Sequence, residues 1–265
     1  MRLMTIASGS SGNCIYVGSE NTHILIDSGI SRKKIADGLA LAGLKMSDIS
    51  AVFVTHEHAD HIKGLGVVSR KDEIPIYSTA GTIQGIRECG NLGVIDNDLF
   101  HEIKADSVVS IDDLDIHAFR VSHDAREPVA YTVSCRNKKI GVATDLGYYD
   151  DYIVDNIRGS QAMVIEANHD VNLLQVGSYP YYLKQRILGN KGHLSNETSG
   201  RLIDSLLEND VKKIFLGHLS KENNYDKLAF ETVRLEIDMS VSEYHAKDFD
   251  ISVAERERPS EVVEI

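Results

Sequence analysis

The chain has 265 residues, 42% hydrophobic, 26% charged and 6% aromatic, which excludes a collagenous, mucin-like or wholly disordered protein and supplies apolar material for a substantial core. With 28 Lys and Arg against 40 Asp and Glu, the formal net charge is −12, so the overall field repels polyanions and weighs against a protein that coats nucleic acid. Cys14, Cys89 and Cys135 are widely spaced and form no C-x-x-C pair. No export signal and no run of roughly 20 apolar residues is visible, so a cytoplasmic protein in a reducing compartment, with no membrane contact, is expected.

In chain order, the first apolar run is followed by Ser8-Gly-Ser-Ser-Gly-Asn13, a small-residue loop. Its backbone N–H groups, with Ser8, Ser10 and Asn13, suit an anion, although a plain tight turn explains it as well. Strands are expected at Ile15 to Val17 and His23 to Ile26, the second ending in Asp27-Ser28-Gly29. Asp27 is either a turn former or a carboxylate that accepts a hydrogen bond from a metal-ligating imidazole. Ser31 caps a helix that runs to Gly43 with Ile35, Leu39 and Ala42 at helical spacing. Further strands are expected at Ala51 to Val54, Ile74 to Tyr77, Leu114 to Val121, Val129 to Ser134, Lys139 to Ala143, Ala162 to Ile165 and Lys213 to Leu216. Ser195, with Glu197 and Thr198, opens a helix carrying Leu202, Ile203, Leu206 and Leu207. Strand-rich first half and helix–strand alternation in the second predict two packed sheets with helices outside, one domain over residues 1–253. The charged stretch 254–265, which contains Pro259, is expected to be a frayed tail.

The strongest chemical signal is T-H-E-H-A-D-H after the strand Ala51 to Val54, which places His56, His58, Asp60 and His61 in one loop. Residues two apart in an extended segment point the same way, so His56 and His58 pinch one ion, while the turn into the next helix aims Asp60 and His61 at a second. His123, Asp145 and His218 each emerge from the end of a later apolar run and complete seven donors for two ions, whose ligand chemistry suits zinc or manganese, with iron also compatible.

This order of residues resembles the metallo-β-lactamase superfamily over about residues 1–250. The resemblance implies a four-layer αββα sandwich with a binuclear site at one edge of the two sheets. It implies that His56, His58 and His123 hold the first metal and Asp60, His61 and His218 the second, with Asp145 bridging. His58 stands where the family's diiron oxidoreductases usually have glutamate, so hydrolysis is expected rather than redox chemistry. The segments S-G-S-S-G-N, S-H-D-A at 122 to 125, E-A-N-H-D at 166 to 170, G-H-L-S-N at 192 to 196 and L-G-H-L-S-K-E-N-N at 216 to 224 are similar to the YycJ/WalJ/VicX branch, on the nuclease side of the superfamily. That similarity implies a metal-dependent exonuclease on DNA, 5′ to 3′, with RNA as a further substrate. Asp145 and His218 are only 73 positions apart, which leaves no room for the large insertion of the RNA-maturing relatives.

The expected chemistry is attack on a phosphodiester by a hydroxide shared between the ions and held by Asp60 and Asp145. His193 matches the proton donor of related tRNA-processing nucleases and would protonate the departing sugar oxygen. Ser195 and Asn196 at a helix start, and Ser220 and Asn223 behind His218, are candidate phosphate contacts, with Lys191, Lys221 and Arg126 extending a positive rim. Glu166, His169 and Asp170 are further candidates for the cleft wall. Tyr148, Tyr149, Tyr152, Tyr179, Tyr181 and Tyr182 offer rings for stacking bases or for packing. A thioester or lactone hydrolase with the same ligands accounts for the acidic charge with less strain, and a non-catalytic regulatory binding protein is the alternative of another class.

Overall fold

Short turns between amphipathic strands give antiparallel pairs, and helices between apolar strands give parallel ones. Both halves of the chain use the two devices in the same order. The computed structural model describes residues 1–265. In the first half, β1 (Arg2–Ala7), β2 (Cys14–Gly18) and β3 (His23–Ile26) form an antiparallel meander. From there α1 (Arg32–Leu41), capped by Ser31 as expected, leads to β4 (Ala51–Phe53). The short α2 (Ala59–Ile62) and α3 (Leu65–Asp72) lead to β5 (Ile76–Thr79), and α4 (Ala80–Glu88) to β6 (Phe100–Ile103). The order β3, β4, β5, β6 is parallel throughout.

The second half repeats the course. Strands β7 (Ser107–Ile111), β8 (Leu114–Arg120), β9 (Val129–Cys135) and β10 (Lys138–Ala143) are antiparallel neighbours. Then α5 (Asp151–Ile157) leads to β11 (Ala162–Glu166), and α6 (Val171–Val176), α7 (Tyr181–Leu188) and α8 (Asn196–Leu206) lead to β12 (Lys213–Gly217). The helix α9 (Asp226–Asp238) precedes β13 (Ile251–Val253), and β14 (Val263–Glu264) ends the chain. The two seven-stranded sheets run β14-β1-β2-β3-β4-β5-β6 and β13-β12-β11-β10-β9-β8-β7.

Ile15, Ile26 and Phe53 of one sheet meet Tyr131, Val142, Val164 and Phe215 of the other between the layers. Outside, Ile35 and Leu39 of α1 and Leu65 and Val68 of α3 cover the first sheet, while Ile153, Ile203 and Val233 of α5, α8 and α9 cover the second. This is the αββα sandwich that the sequence predicts. Covered on both faces, β11 and β12 are buried at every residue, which is why they read as unbroken apolar runs. Strand β5 begins two residues later than expected because Pro75 lacks an N–H to donate to the ladder.

The C-terminal stretch corrects the sequence expectation. Residues 254–265 are not a frayed tail: β14 pairs with β1, Ser8 N–H donates to the Glu255 carbonyl at 3.1 Å, and Ser260 N–H donates to Thr5 O at 2.9 Å. Arg256 reaches over Gly9 and donates to the carbonyls of Leu219 and Ser220 at 3.3 and 2.6 Å. The charges of A-E-R-E-R-P-S-E mark a strap lying on the surface, not a segment free of it.

Candidate metal centre

Side chains that leave the carboxyl ends of parallel strands converge on one edge of a sheet, and this chain places its polar residues there. Thr55 and His56 follow β4, His58 precedes α2, and Asp60 and His61 ride on α2. His123 follows β8, Asp145 follows β10, Glu166 ends β11 and His218 follows β12, while His193 enters from the loop before α8. Asp27, Asp145 and His218 turn off their strands with φ of 64°, 60° and 54°. That left-handed region disfavours side chains, and its use at these three strand ends turns all three into the same edge of the sandwich.

All seven expected ligands meet. His123 Nε2 lies 3.2 Å from His58 Nδ1, and the His56 ring packs within 4.9 Å of both. On the other side, His218 Nε2 is 3.2 Å from Asp60 Oδ2, and His61 Nε2 is 3.5 Å from the same oxygen. Asp145 stands between, with Oδ2 3.2 Å from His61 Nε2 and Oδ1 3.6 Å from His123 Nε2.

The outer ring nitrogens are held so that the inner ones face one another. His61 Nδ1 meets Asp27 Oδ2 at 2.7 Å, and Asp27 is fixed by the N–H and hydroxyl of Thr55. His123 Nδ1 donates to Gly192 O at 3.1 Å, and His56 Nδ1 meets Thr55 Oγ1 at 3.0 Å. His218 Nδ1 meets Glu166 Oε1 at 2.8 Å. Partners of this kind orient metal-binding imidazoles and raise their basicity.

His56 Nε2 and Asp145 Oδ2 are buried in the cluster without a hydrogen-bond partner, a cost that a bound cation removes. The electrostatics agree. Burial works against charge on Asp145, yet His218 and His61 hold its carboxyl well below the usual range. Burial likewise opposes charge on His218, but Asp145, Asp60 and Glu166 push it up to about 10. Carboxylates in this cluster demand positive charge beside them, and the imidazole and carboxylate donors fit a divalent metal. Asp27 is buried against the outer nitrogen of His61, on the far side of that ring from the cluster.

Several expected substrate contacts are placed differently. Ser8 is buried and its hydroxyl accepts from His218 N–H at 2.9 Å. Asn13 is buried, accepts from Gly9 N–H, and turns its amide nitrogen toward His61 Nε2 at 3.1 Å. Asn196 is fully buried and exchanges two hydrogen bonds with Asn224. Ser220 and Asn223 bond to each other, and Ser195 caps α8 through Thr198 N–H. These side chains hold the loops that carry the ligands instead of lining the cleft, because their polar atoms need partners inside the fold. Only Ser10 of the set is exposed.

Glu166 is also not a substrate contact. It is fully buried, and Oε1 accepts from both His193 Nδ1 and His218 Nδ1 at 2.8 Å, while Oε2 accepts from the N–H groups of Leu146 and Leu194. One carboxylate thus joins His193 to the ligand cluster. Asp170 caps α6, and His169 is buried with neither ring nitrogen partnered. Arg126 is bound to Glu88. The cation beside the cleft is Arg186, bound to Asp124, a pairing across 62 positions that no local pattern reveals.

Residues 22–218 match the family model described as the beta-lactamase superfamily domain. The chain is 42% identical over 228 residues to exodeoxyribonuclease WalJ of Streptococcus pneumoniae, covering 86% of this chain and 85% of that one. It is 38% identical over 229 residues to exodeoxyribonuclease YycJ of Bacillus anthracis, covering 86% of each. Among solved structures, zinc-bound PqqB from Methylobacterium extorquens superposes over 100% of both chains with a TM-score of 0.70 at 14% identity, a likeness of fold. Fold, ligand arrangement and sequence agree: the chain belongs to the metallo-β-lactamase-fold superfamily, in the branch of WalJ and YycJ.

Proposed function

We propose that this protein is a metal-dependent exodeoxyribonuclease that removes nucleotides from the 5′ end of DNA, with RNA as a further substrate, in the cytoplasm. The observation that carries the assignment is the junction at Glu166, which joins a ligand cluster to an imidazole that belongs to none of its histidine triads, in a chain about 40% identical to exodeoxyribonucleases. His56, His58 and His123 would hold one ion and Asp60, His61 and His218 the other, with Asp145 shared. When bound, two such ions supply Lewis acidity toward phosphoryl oxygens and lower the pKa of the water that attacks.

The chain's own groups do the rest. Asp60 and Asp145, held ionised beside the histidines, counter the positive charge and orient the attacking water. With Nδ1 bound to Glu166, His193 presents Nε2 as its free ring atom, and its side chain is 15% exposed at the cleft. A proton on that atom passes to the departing sugar oxygen as the phosphorus–oxygen bond breaks, and Glu166 steadies the ring in both protonation states. The net charge of −12 restricts attraction for DNA to this locality, which suits a trimmer of ends.

The test is degradation of end-labelled DNA and RNA by protein loaded with manganese or zinc, beside a thioester and a lactone. Nucleotide release from the 5′ end is expected. Hydrolysis of the thioester or lactone with intact nucleic acid would overturn the assignment in favour of a small-molecule hydrolase, and tight binding without any turnover would favour a regulatory protein.

A further inference from the structure

The helix α7 stands at the rim of the cleft. Its inner side is anchored: Ile187 is buried, and Lys184 Nζ donates to the carbonyls of Gln175 and Gly177 at 2.7 and 2.6 Å. The chain beyond it closes over the centre, where Asn190 O accepts from Ser122 and Gly192 O from His123. On the outer side, Tyr181 and Tyr182 are 77% and 74% exposed, so neither ring contributes to the core. Four residues past Tyr182, the Arg186 guanidinium pairs through two nitrogens with Asp124. Asp124 Oδ1 is 3.4 Å from His123 Nε2 and 3.8 Å from His58 Nε2. A single carboxylate therefore separates the guanidinium from the ligand histidines.

We propose that α7 is a nucleotide clamp, in which Arg186 takes a phosphate and Tyr182 stacks a base of a single DNA strand entering the cleft. Residues four apart on a helix stand on one face about 6 Å apart, a separation that a nucleotide spans between its phosphate and its base. Asp124 keeps the guanidinium aimed at the cleft, and a phosphate offers the same forked geometry in exchange. A flat ring beside a phosphate-binding arginine selects nucleic acid over an acidic peptide. It selects a single strand over a duplex, because a base must leave its stack to reach the ring. The clamp rests on the exonuclease assignment above.

The experiment is steady-state kinetics of metal-loaded protein on end-labelled single strands, and on matched strands whose first three nucleotides are abasic. Tyr182→Ala should raise KM roughly tenfold with little change in kcat, and Tyr182→Phe should restore it. Removing the bases should cost wild-type protein the same factor, and the two losses should not multiply. Arg186→Ala should flatten the salt dependence of KM by about one phosphate contact, and Arg186→Lys should restore the slope but not the full affinity. An equal Tyr182→Ala penalty on abasic and base-bearing strands, an unmoved KM, or an unmoved salt slope in Arg186→Ala overturns the clamp alone. Wild-type protein that leaves every strand intact overturns the exonuclease assignment and the clamp with it.

Discussion

Replacing Glu166 by glutamine alters one oxygen and should disable the centre without opening a cavity. The buried carboxylate accepts four hydrogen bonds, two from histidine Nδ1 atoms and two from backbone N–H groups. An amide has one accepting oxygen, and backbone N–H groups have no alternative tautomer, so the glutamine oxygen must face Leu146 and Leu194. Its NH2 then faces His193 and His218, which can accept at Nδ1 only by carrying the proton on Nε2. On His218 that is the atom aimed at Asp60, and a protonated nitrogen does not ligate a metal. Loss of such an orienting partner costs about 10–100-fold in metal affinity, or about 1.4–2.8 kcal/mol. Stability of the metal-free protein should fall by about 3–5 kcal/mol, the cost of breaking a buried charged pair.

The pH dependence gives an independent magnitude. Burial disfavours the Glu166 anion, but His193 and His218 hold its carboxyl down to about 2 from an ordinary 4.5. Its stabilising contribution is therefore complete above pH 4.5 and lost as pH falls toward 2, about 3 kcal/mol in all. Chelator-competition titration measures the affinity, and urea unfolding of the metal-free proteins at pH 7 and pH 3 measures the rest. A Glu166→Gln protein that binds metal as tightly as wild type, with the same stability and the same acid limb, refutes the account.

His58→Ala and Asp60→Ala should each abolish DNA degradation while the fold survives, measured by end-label release and circular dichroism; undiminished metal-dependent turnover in either would remove the ligand assignment. His169, pushed down to about 4 mainly by burial, resists a proton that the unfolded chain accepts near 6.5. Wild-type stability should therefore drop by up to about 3 kcal/mol more than that of His169→Asn between pH 7 and pH 4, and parallel curves would contradict this. Burial also pushes the Cys14 thiol well up, whereas Cys89 and Cys135 are partly exposed. A disulfide reagent should titrate two thiols in the native protein and the third only on unfolding; three fast equivalents would show Cys14 to be accessible.

Most of the layer plan was legible because burial on both faces leaves unbroken apolar runs, as in β10, β11 and β12, and because capping serines mark α1 and α8. The clustered histidines and aspartates, the candidate ligands, were legible for the converse reason, as polar residues at the ends of apolar runs. The strands β7 and β14 were harder. The first alternates half-buried with exposed residues at a sheet edge, and the second is two residues long inside a charged stretch. The role of Glu166 escaped for want of any pattern that separates a buried carboxylate from a strand end entering solvent. Ser8, Asn13 and Asn196 read as phosphate contacts but lie buried in loop hydrogen bonds, because small polar residues in loops look alike whether they face a ligand or hold the loop. Arg186 depends on a partner 62 positions away, and such pairings exist only once the chain has folded.

The left-handed turns at Asp27, Asp145 and His218 are local strain that the buried cluster outweighs. Each position would be relieved by glycine, by roughly 1 kcal/mol, and each relief deletes a carboxylate or an imidazole of the centre. At His218 the same change would leave Glu166 without one of its two imidazole partners, at a cost of about 3–5 kcal/mol, and Asp27 and Asp145 each face the buried His61, so glycine at any of the three should lower stability on balance. A library selected only for resistance to heat should therefore keep all three side chains, strain included.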